Sequence, residues 1–253
     1  VKKLNPDIIA LGSSTIMTLK EEIFNKSFVN AGGAMNNIDE GILFIKELEK
    51  IKTRPKFIIL SLDFWWFNKL YNQYDNKNFP HHDNTGDKIN LDTLYNFNKL
   101  LILNKIPLYS FLNIFNNNLS NKYTAQDSLG LSAITKGSGF KRDGSYEYGN
   151  LFFGHAHADI KFQKTIKRLN NKNARFQIGQ IPDQNEINKL KYLISLIENL
   201  NIDYFVLFPP IANSVYLKID KNENYKYIFK TFKILEKQLN ENIEIFFNPY
   251  ISN

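Results

Sequence analysis

Short apolar segments that alternate with helical patterns constrain the fold of this chain most strongly. Five segments have the length and composition of buried strands, at 7–11, 28–33, 56–63, 204–208 and 243–247. They are apolar almost throughout, whereas a strand with one solvent-facing side would alternate with polar residues. Strands of this kind occur in parallel sheets that are covered on both faces. The sequence therefore predicts an α/β fold with a central parallel sheet.

Helical patterns fill the intervals between these strands. The spacing of apolar residues predicts helices over 36–51, 183–199 and 222–239. At 253 residues with 43% hydrophobic content, the chain can bury one sizeable core. We therefore expect a single domain over 1–253, with an irregular, Asn-rich insertion at about 64–182. Within it, Arg142-Asp143-Gly144-Ser145 is typical of a hairpin turn.

Three strand ends carry residues suited to chemistry. They read Gly12-Ser13-Ser14, Asn30-Ala31-Gly32 and Ser61-Leu62-Asp63. Because the carboxyl ends of parallel strands meet at one edge of the sheet, we expect Ser14 and Gly32 to lie at the mouth of one cleft there. Each tripeptide also suits an ordinary turn, in which serine caps a helix and glycine accepts a positive φ.

These blocks resemble those of the SGNH (GDSL-like) hydrolase superfamily, which run Gly-Asp-Ser, Asn-x-Gly and Gly-x-Asn-Asp. The Gly-Ser-Ser variant, followed after the third strand by Asp63-Phe64-Trp65-Trp66, resembles an envelope branch that includes the D-alanyl transfer protein of teichoic acids and the alginate O-acetylation proteins. The resemblance implies a three-layer, flavodoxin-like α/β domain. It also implies a serine-dependent esterase or O-acyltransferase that acts on a cell-envelope polysaccharide.

The mechanism implied by the resemblance is acyl transfer. Ser14 would attack an ester carbonyl, and the backbone N–H groups of Ser14 and Gly32 would hold the oxyanion together with one side-chain donor. The family takes that donor from an asparagine, but Asp63 stands at the matching position, and an ionised carboxylate cannot donate a hydrogen bond.

Three asparagines near the strand ends are alternative donors. Asn36, Asn37 and Asn68 each carry a side-chain N–H, and Asp63 would then have another role, such as fixing the turn. Trp65 follows the third strand and suits either packing under a lid or stacking on a sugar ring.

The general base is the second departure from the family pattern. The superfamily takes it from an Asp-x-x-His motif after the last strand, and that spacing is absent from this sequence. The given sequence stops at Asn253, just after the last predicted strand, so we expect the motif to lie beyond Asn253, unless His155 or His157 replaces it or the protein is inactive. Without a base within reach of the Ser14 hydroxyl, we expect simple acetyl esters to be turned over poorly.

The same histidines suggest a rival, metal-dependent hydrolase. His155, His157 and Asp159 resemble part of the His-x-His-x-Asp-His motif of metallo-β-lactamase-fold enzymes, but Ile160 replaces the last histidine, and no histidine follows His157. Because the ligand set is incomplete, we expect no metal and no other cofactor. The absence of cysteine excludes disulfides, thiolate metal sites and a cysteine nucleophile.

The net charge, the family resemblance and the first residue of the sequence indicate which partners the protein has and where it acts. The net charge of +7 comes from dispersed lysines, so we expect no nucleic-acid surface. The substrate implied by the resemblance is an envelope glycan or an acylated small molecule, with a membrane-bound partner that delivers the acyl group. An extracytoplasmic location follows from the same resemblance, in the periplasm or on a membrane anchor outside this chain, which begins at Val1. The competing interpretation is a non-catalytic glycan-binding or assembly module on the same fold.

Overall fold

The computed structural model describes residues 5–51, 54–71, 128–129, 138–148 and 162–247. Contacts divide these residues into two compact units. The first comprises 5–51, 54–71, 143–145 and 162–247, and the second comprises 128–129, 138–142 and 146–148.

The first unit contains a five-stranded parallel sheet. Its strands are β1 (Ile8–Gly12), β2 (Phe28–Gly32), β3 (Phe57–Ser61), β7 (Asp203–Phe208) and β8 (Ile243–Ile245). Their order in the sheet is β2-β1-β3-β7-β8, and every pairing is parallel. Counted along the sheet's own five strands, this is the 2-1-3-4-5 order of flavodoxin-like folds. The predicted α/β class with a central parallel sheet is confirmed.

Helices flank this sheet in the three-layer arrangement. They are α1 (Ile38–Glu49), α2 (Gln163–Asn170), α3 (Gln184–Asn199), α4 (Asn213–Asp220) and α5 (Lys226–Leu239). Side chains cap two of the predicted helices at their starts. Asn37 Oδ1 accepts the Glu40 N–H at 2.9 Å, and Asp183 Oδ1 accepts the Asn185 N–H at 2.9 Å.

The structure differs from the predicted helices in two places. The helix predicted over 222–239 begins as a 3₁₀ turn at Glu223–Tyr225 and becomes α-helical at Lys226. Helices α2 and α4 were not predicted, because α2 has few apolar residues and α4 follows Pro209-Pro210 closely. Residues in the predicted insertion range, including the buried side chains of Trp66 and Leu169, nevertheless contribute to the core of the first unit.

The two faces of the central strands enter different clusters. Ile9 and Leu11 of β1 belong to the main core together with Ile58 and Leu60 of β3, whereas Ala10 packs in a smaller cluster on the other face. All five side chains are fully buried. This two-sided burial explains why the strands are apolar without alternation.

The second unit contains a three-stranded antiparallel sheet. It consists of β4 (Ser128–Leu129), β5 (Ser138–Lys141) and β6 (Tyr146–Tyr148), in the order β4-β5-β6. The pairing of Phe140 with Tyr146 confirms the predicted hairpin, and Gly144 in its turn has φ +84°.

We expect Leu60→Ala to lower the free energy of unfolding by about 2–5 kcal/mol, because it leaves a cavity in the central strand. Leu43→Ala, at a half-exposed position of α1, is the matched control and should change it by less than about 0.5 kcal/mol. Urea denaturation followed by circular dichroism measures both. Equal losses in the two variants would contradict the placement of β3 at the centre of the sheet.

Candidate functional site

The turn after β1 presents three consecutive hydroxyl groups at the carboxyl edge of the sheet. Ser13 is buried and caps a single 3₁₀ turn, Ser14–Ile16, by accepting the Thr15 N–H at 3.3 Å, whereas Ser14 and Thr15 are exposed. A Cβ on Gly12 would lie 2.8 Å from the Ser61 carbonyl oxygen. Glycine is therefore required for the close approach of β1 to β3 just before the turn.

A hydroxyl-to-carboxylate contact joins the ends of β1 and β3. Thr15 Oγ1 donates to Asp63 Oδ1 at 3.3 Å, and Ser13 Oγ lies 3.0 Å from Thr15 Oγ1. Either hydroxyl can be the donor in the Ser13–Thr15 contact, and both hydroxyls lower the pKa of Asp63. The two hydrogen bonds form a chain that ends at the carboxylate, and such chains strengthen one another.

Burial perturbs the Asp63 carboxyl group. Its side chain is 2% exposed, and among the described residues its Oδ2 atom has no hydrogen-bond partner. Desolvation raises the pKa of Asp63 to about 6, although hydrogen bonds from Ser13 and Thr15 and the charge of Arg175 act in the opposite direction. A carboxyl group with this pKa changes its charge close to neutral pH, as a general base requires.

The Thr15–Asp63 pair borders an apolar pocket of about 170 Å³. Aromatic and aliphatic side chains at the ends of β3, β7 and β8 form most of its wall: Leu62, Phe64, Trp65, Phe208, Pro209, Pro210, Ile211 and Phe247. Cavities of this size accept a group as large as a benzene ring. The pocket lies at the carboxyl ends of β3, β7 and β8, and the Thr15–Asp63 pair on its border marks the point between β1 and β3 where the strand order reverses, the position at which open α/β sheets bind ligands.

The end of β2 is tied to the turn after β1 by a buried asparagine. Asn30 Oδ1 accepts the Gly32 N–H at 2.7 Å, and Asn30 Nδ2 donates to the carbonyl oxygens of Ile16 and Leu19, both at 2.8 Å. Gly32 and Gly12 are paired across the adjacent strands, so both predicted strand ends reach the same edge. However, the Gly32 N–H that was expected to hold an oxyanion already has an acceptor.

The Ser14 groups are open by comparison. Among the described residues, neither the Ser14 N–H nor its hydroxyl has a hydrogen-bond partner. Ser14 therefore retains a backbone donor of the kind expected for an oxyanion, next to Thr15.

The asparagines considered as side-chain donors have structural partners. Asn68 Nδ2 donates to the Gln177 carbonyl oxygen at 2.8 Å, and Asn68 Oδ1 accepts the Leu70 N–H at 2.9 Å. Asn37 caps α1, and Asn36 Nδ2 lies 3.1 Å from the Glu40 carboxylate. These contacts hold the ends of elements and leave the oxyanion role to backbone groups.

Trp65 lines the pocket and carries a cation on its ring. It is 8% exposed, and the Arg175 guanidinium lies 4.8 Å from the ring centroid. The ring is thus packed in the core and also forms part of a ligand-sized pocket, and its stacking on a sugar stays a prediction.

The histidines predicted as general bases or metal ligands are not among the residues that the structure describes. His155, His157 and Asp159 lie outside the described residues, so their roles as base or metal ligands stay predictions. In the part of the chain that the structure describes, no three His, Cys, Asp or Glu residues are grouped so as to hold a metal ion. The helices of the described residues also bear on membrane association. Within these ranges, no helix has the length and hydropathy needed to cross a bilayer.

Comparison with models of known protein families, with curated proteins and with solved structures gives no match to this chain.

Sequence reasoning identified Ser14, Gly32 and Asp63 but missed the contacts that connect the strand ends. The contact between Thr15 and Asp63 could have been predicted. Thr15 follows Ser14, and its hydroxyl group lies at the end of one strand while the Asp63 carboxyl group lies at the end of the neighbouring strand. The sequence assigned Asn30 no role beyond its place in the block that contains Gly32. Arg175 gave no signal, because it is 110 residues from Trp65 in the sequence.

The raised pKa of Asp63 predicts how stability changes with pH. The unfolded chain ionises this group near its ordinary pKa of 3.8, whereas the native protein holds its proton up to about pH 6. The stabilising effect of the protonated form is complete below pH 3.8 and is lost as the pH rises through 6, a change of about 3 kcal/mol. Asp63→Asn keeps an acceptor for Thr15 and removes this loss.

We therefore expect Asp63→Asn to have a larger free energy of unfolding than the native protein at pH 7.5, and a similar one at pH 4. Asp203→Asn, at an exposed carboxylate on β7, is the control. Denaturant unfolding at pH 4, 5, 6 and 7.5 gives the four values. A variant less stable than the native protein at every pH would mean that the carboxylate stabilises the fold and is not a strained functional group.

Proposed function

We propose that this protein is an esterase or O-acyltransferase that uses a hydroxyl nucleophile at the turn after β1. The observation that carries the proposal is the hydrogen bond from Thr15 to Asp63 in the wall of an apolar pocket. A hydroxyl becomes nucleophilic when a base within hydrogen-bond distance takes its proton, and Asp63 is such a base for Thr15 above pH 6.

In the proposed reaction, Asp63 carries every proton that is transferred, and Thr15 carries the acyl group. Asp63 takes the Thr15 proton as Thr15 Oγ1 attacks the ester carbonyl, and the resulting oxyanion accepts the Ser14 N–H. The intermediate collapses with cleavage of the ester bond, and Asp63 returns the proton to the departing alcohol. Water or a sugar hydroxyl then attacks the acyl-threonine ester with Asp63 again as base, which regenerates Thr15.

Ser14 is the alternative nucleophile within the same function. It is an exposed primary alcohol, which is intrinsically less hindered than threonine, but no base reaches it among the described residues. Ser14 would depend on His155 or His157, as the sequence suggests. The two assignments differ in which hydroxyl is essential and in which group sets the pH dependence.

The substrate class in this proposal comes from the resemblance of the strand ends to the envelope branch of SGNH hydrolases. An envelope polysaccharide or an acylated small molecule supplies or receives the acyl group, and a membrane-bound partner delivers it at an extracytoplasmic site. The pocket supports an acyl group of only a few carbon atoms, because its volume is about 170 Å³.

A non-catalytic glycan-binding module is the second candidate, and one observation favours it. The Gly32 N–H, which acyl transfer of the expected type would use, is already bound to Asn30 at 2.7 Å. In this case, the pocket and the Trp65 ring would bind a sugar or its acyl substituent without turnover.

Hydrolysis of p-nitrophenyl acetate by the full chain tests the proposal. Thr15→Val preserves the shape of the side chain and removes the hydroxyl, so we expect it to lower kcat by about 10²–10⁴-fold, as expected for loss of an assisted nucleophile. Asp63→Asn should cause a similar loss, Ser14→Ala a change of no more than a few-fold, and Thr15→Ser should remain active. The pH profile of kcat/KM should rise through an apparent pKa of about 6, and Asp63→Asn should abolish that limb.

Two other results would assign the nucleophile differently or refute acyl transfer. Loss of activity in Ser14→Ala with retention in Thr15→Val would assign the nucleophile to Ser14 and the base to a group other than Asp63. No turnover above the rate of the Thr15→Val and Ser14→Ala variants would refute acyl transfer and favour the glycan-binding module.

A further inference from the structure

The loop that carries Arg175 is held under strain by a buried tyrosine. The Tyr225 hydroxyl lies 3.2 Å from the Leu169 carbonyl oxygen and 2.9 Å from that of Phe176, and Tyr225 is fully buried. Three residues between these anchors have left-handed backbones, Lys172 at φ +54°, Ala174 at φ +46° and Arg175 at φ +85°. Backbone strain of this kind persists only where the surrounding structure fixes it, and it concentrates at ligand sites.

The strained loop places the Arg175 side chain beside the pocket. Its guanidinium lies 4.8 Å from the centroid of the Trp65 ring, and Trp65 is part of the pocket wall. Within the described ranges, no salt bridge involves Arg175, although its charge lowers the pKa of Asp63. Stacking fixes the plane of the guanidinium and leaves its N–H groups available to an anion.

The segment that carries Arg175 is rich in cations. Residues 162–182 contain five cationic side chains and no acidic one. The cations are Lys164, Lys167, Arg168, Lys172 and Arg175, and each is exposed. An excess of charges of one sign raises the concentration of oppositely charged ligands around the segment.

We propose that Arg175, held against Trp65, binds the carboxylate or phosphate group of a small organic anion whose short apolar part occupies the pocket beside Asp63. A guanidinium presents paired N–H donors that match either anion, and the apolar wall accepts the hydrocarbon part. If the protein catalyses the proposed acyl transfer, this anion is its substrate. The binding itself does not depend on that function.

Binding of three probes to the full chain tests the inference. Butyl phosphate and butyrate carry the two anionic groups, and butanamide is a neutral compound of similar shape. Tryptophan fluorescence is a direct readout, because Trp65 lines the pocket and the other tryptophan of the chain, Trp66, is the next residue. We expect saturable binding of at least one anion, and weaker binding of butanamide.

Three substitutions distinguish binding at Arg175 from binding by general surface charge. Arg175→Gln should weaken binding of the anion by about tenfold, as loss of a charged hydrogen-bond donor predicts. Arg168→Gln removes an exposed arginine of the same segment and should weaken it less than about twofold. Arg175→Lys keeps the charge without the planar donor pair and should weaken it several-fold. Thermal unfolding of each variant checks that the fold is retained.

The inference is overturned if no anionic probe binds saturably, if butanamide binds as tightly as the anions, or if Arg175→Gln has no effect. Equal losses in Arg168→Gln and Arg175→Gln would also overturn it, because they would indicate a diffuse basic surface of the kind that membranes or nucleic acids attract. Anion binding that depends on Arg175, without ester turnover, would refute the proposed function and leave this inference standing.

Discussion

The parallel pairing of β1 with β3 in the middle of the sheet determines where every candidate group lies. Both strands are buried on two sides, and their register places Leu11 beside Leu60, so the residues that follow them emerge together. Gly12 allows this approach, since any larger residue would meet the Ser61 backbone. The hydrogen bond between Thr15 and Asp63 is thus a consequence of strand register, at the point of the sheet where ligand sites form.

Hydrogen bonds from buried side chains give this edge its definite geometry. Asn30 connects the end of β2 to the turn after β1 through two hydrogen bonds and accepts a third from the Gly32 N–H, and Tyr225 fixes both ends of the loop before Phe176. Such contacts are costly to remove, because each would leave a buried polar group without a partner. They hold in place the turn that carries Thr15 and the loop that carries Arg175, without taking part in any reaction.

Electrostatics gives the pocket an inner acid and an outer cation. Asp63 is buried, and its ionised form is disfavoured, whereas Arg175 is exposed and keeps its charge in contact with solvent. Ionisation of Asp63 is consequently less favourable than in water but is helped by the nearby guanidinium. A ligand with an apolar body and one anionic end would match this distribution, with the body near the acid and its charge near the arginine.

The sequence by itself determined the class of fold and the edge at which chemistry is expected. Continuous apolar strands require burial on both faces, and their polar end residues then collect at one edge, so Ser14, Gly32 and Asp63 were identified without coordinates. Strand order, the raised pKa of Asp63 and the position of Arg175 over Trp65 were decided only by the tertiary structure. Each depends on desolvation or on contact between distant residues, and neither is a property of local sequence.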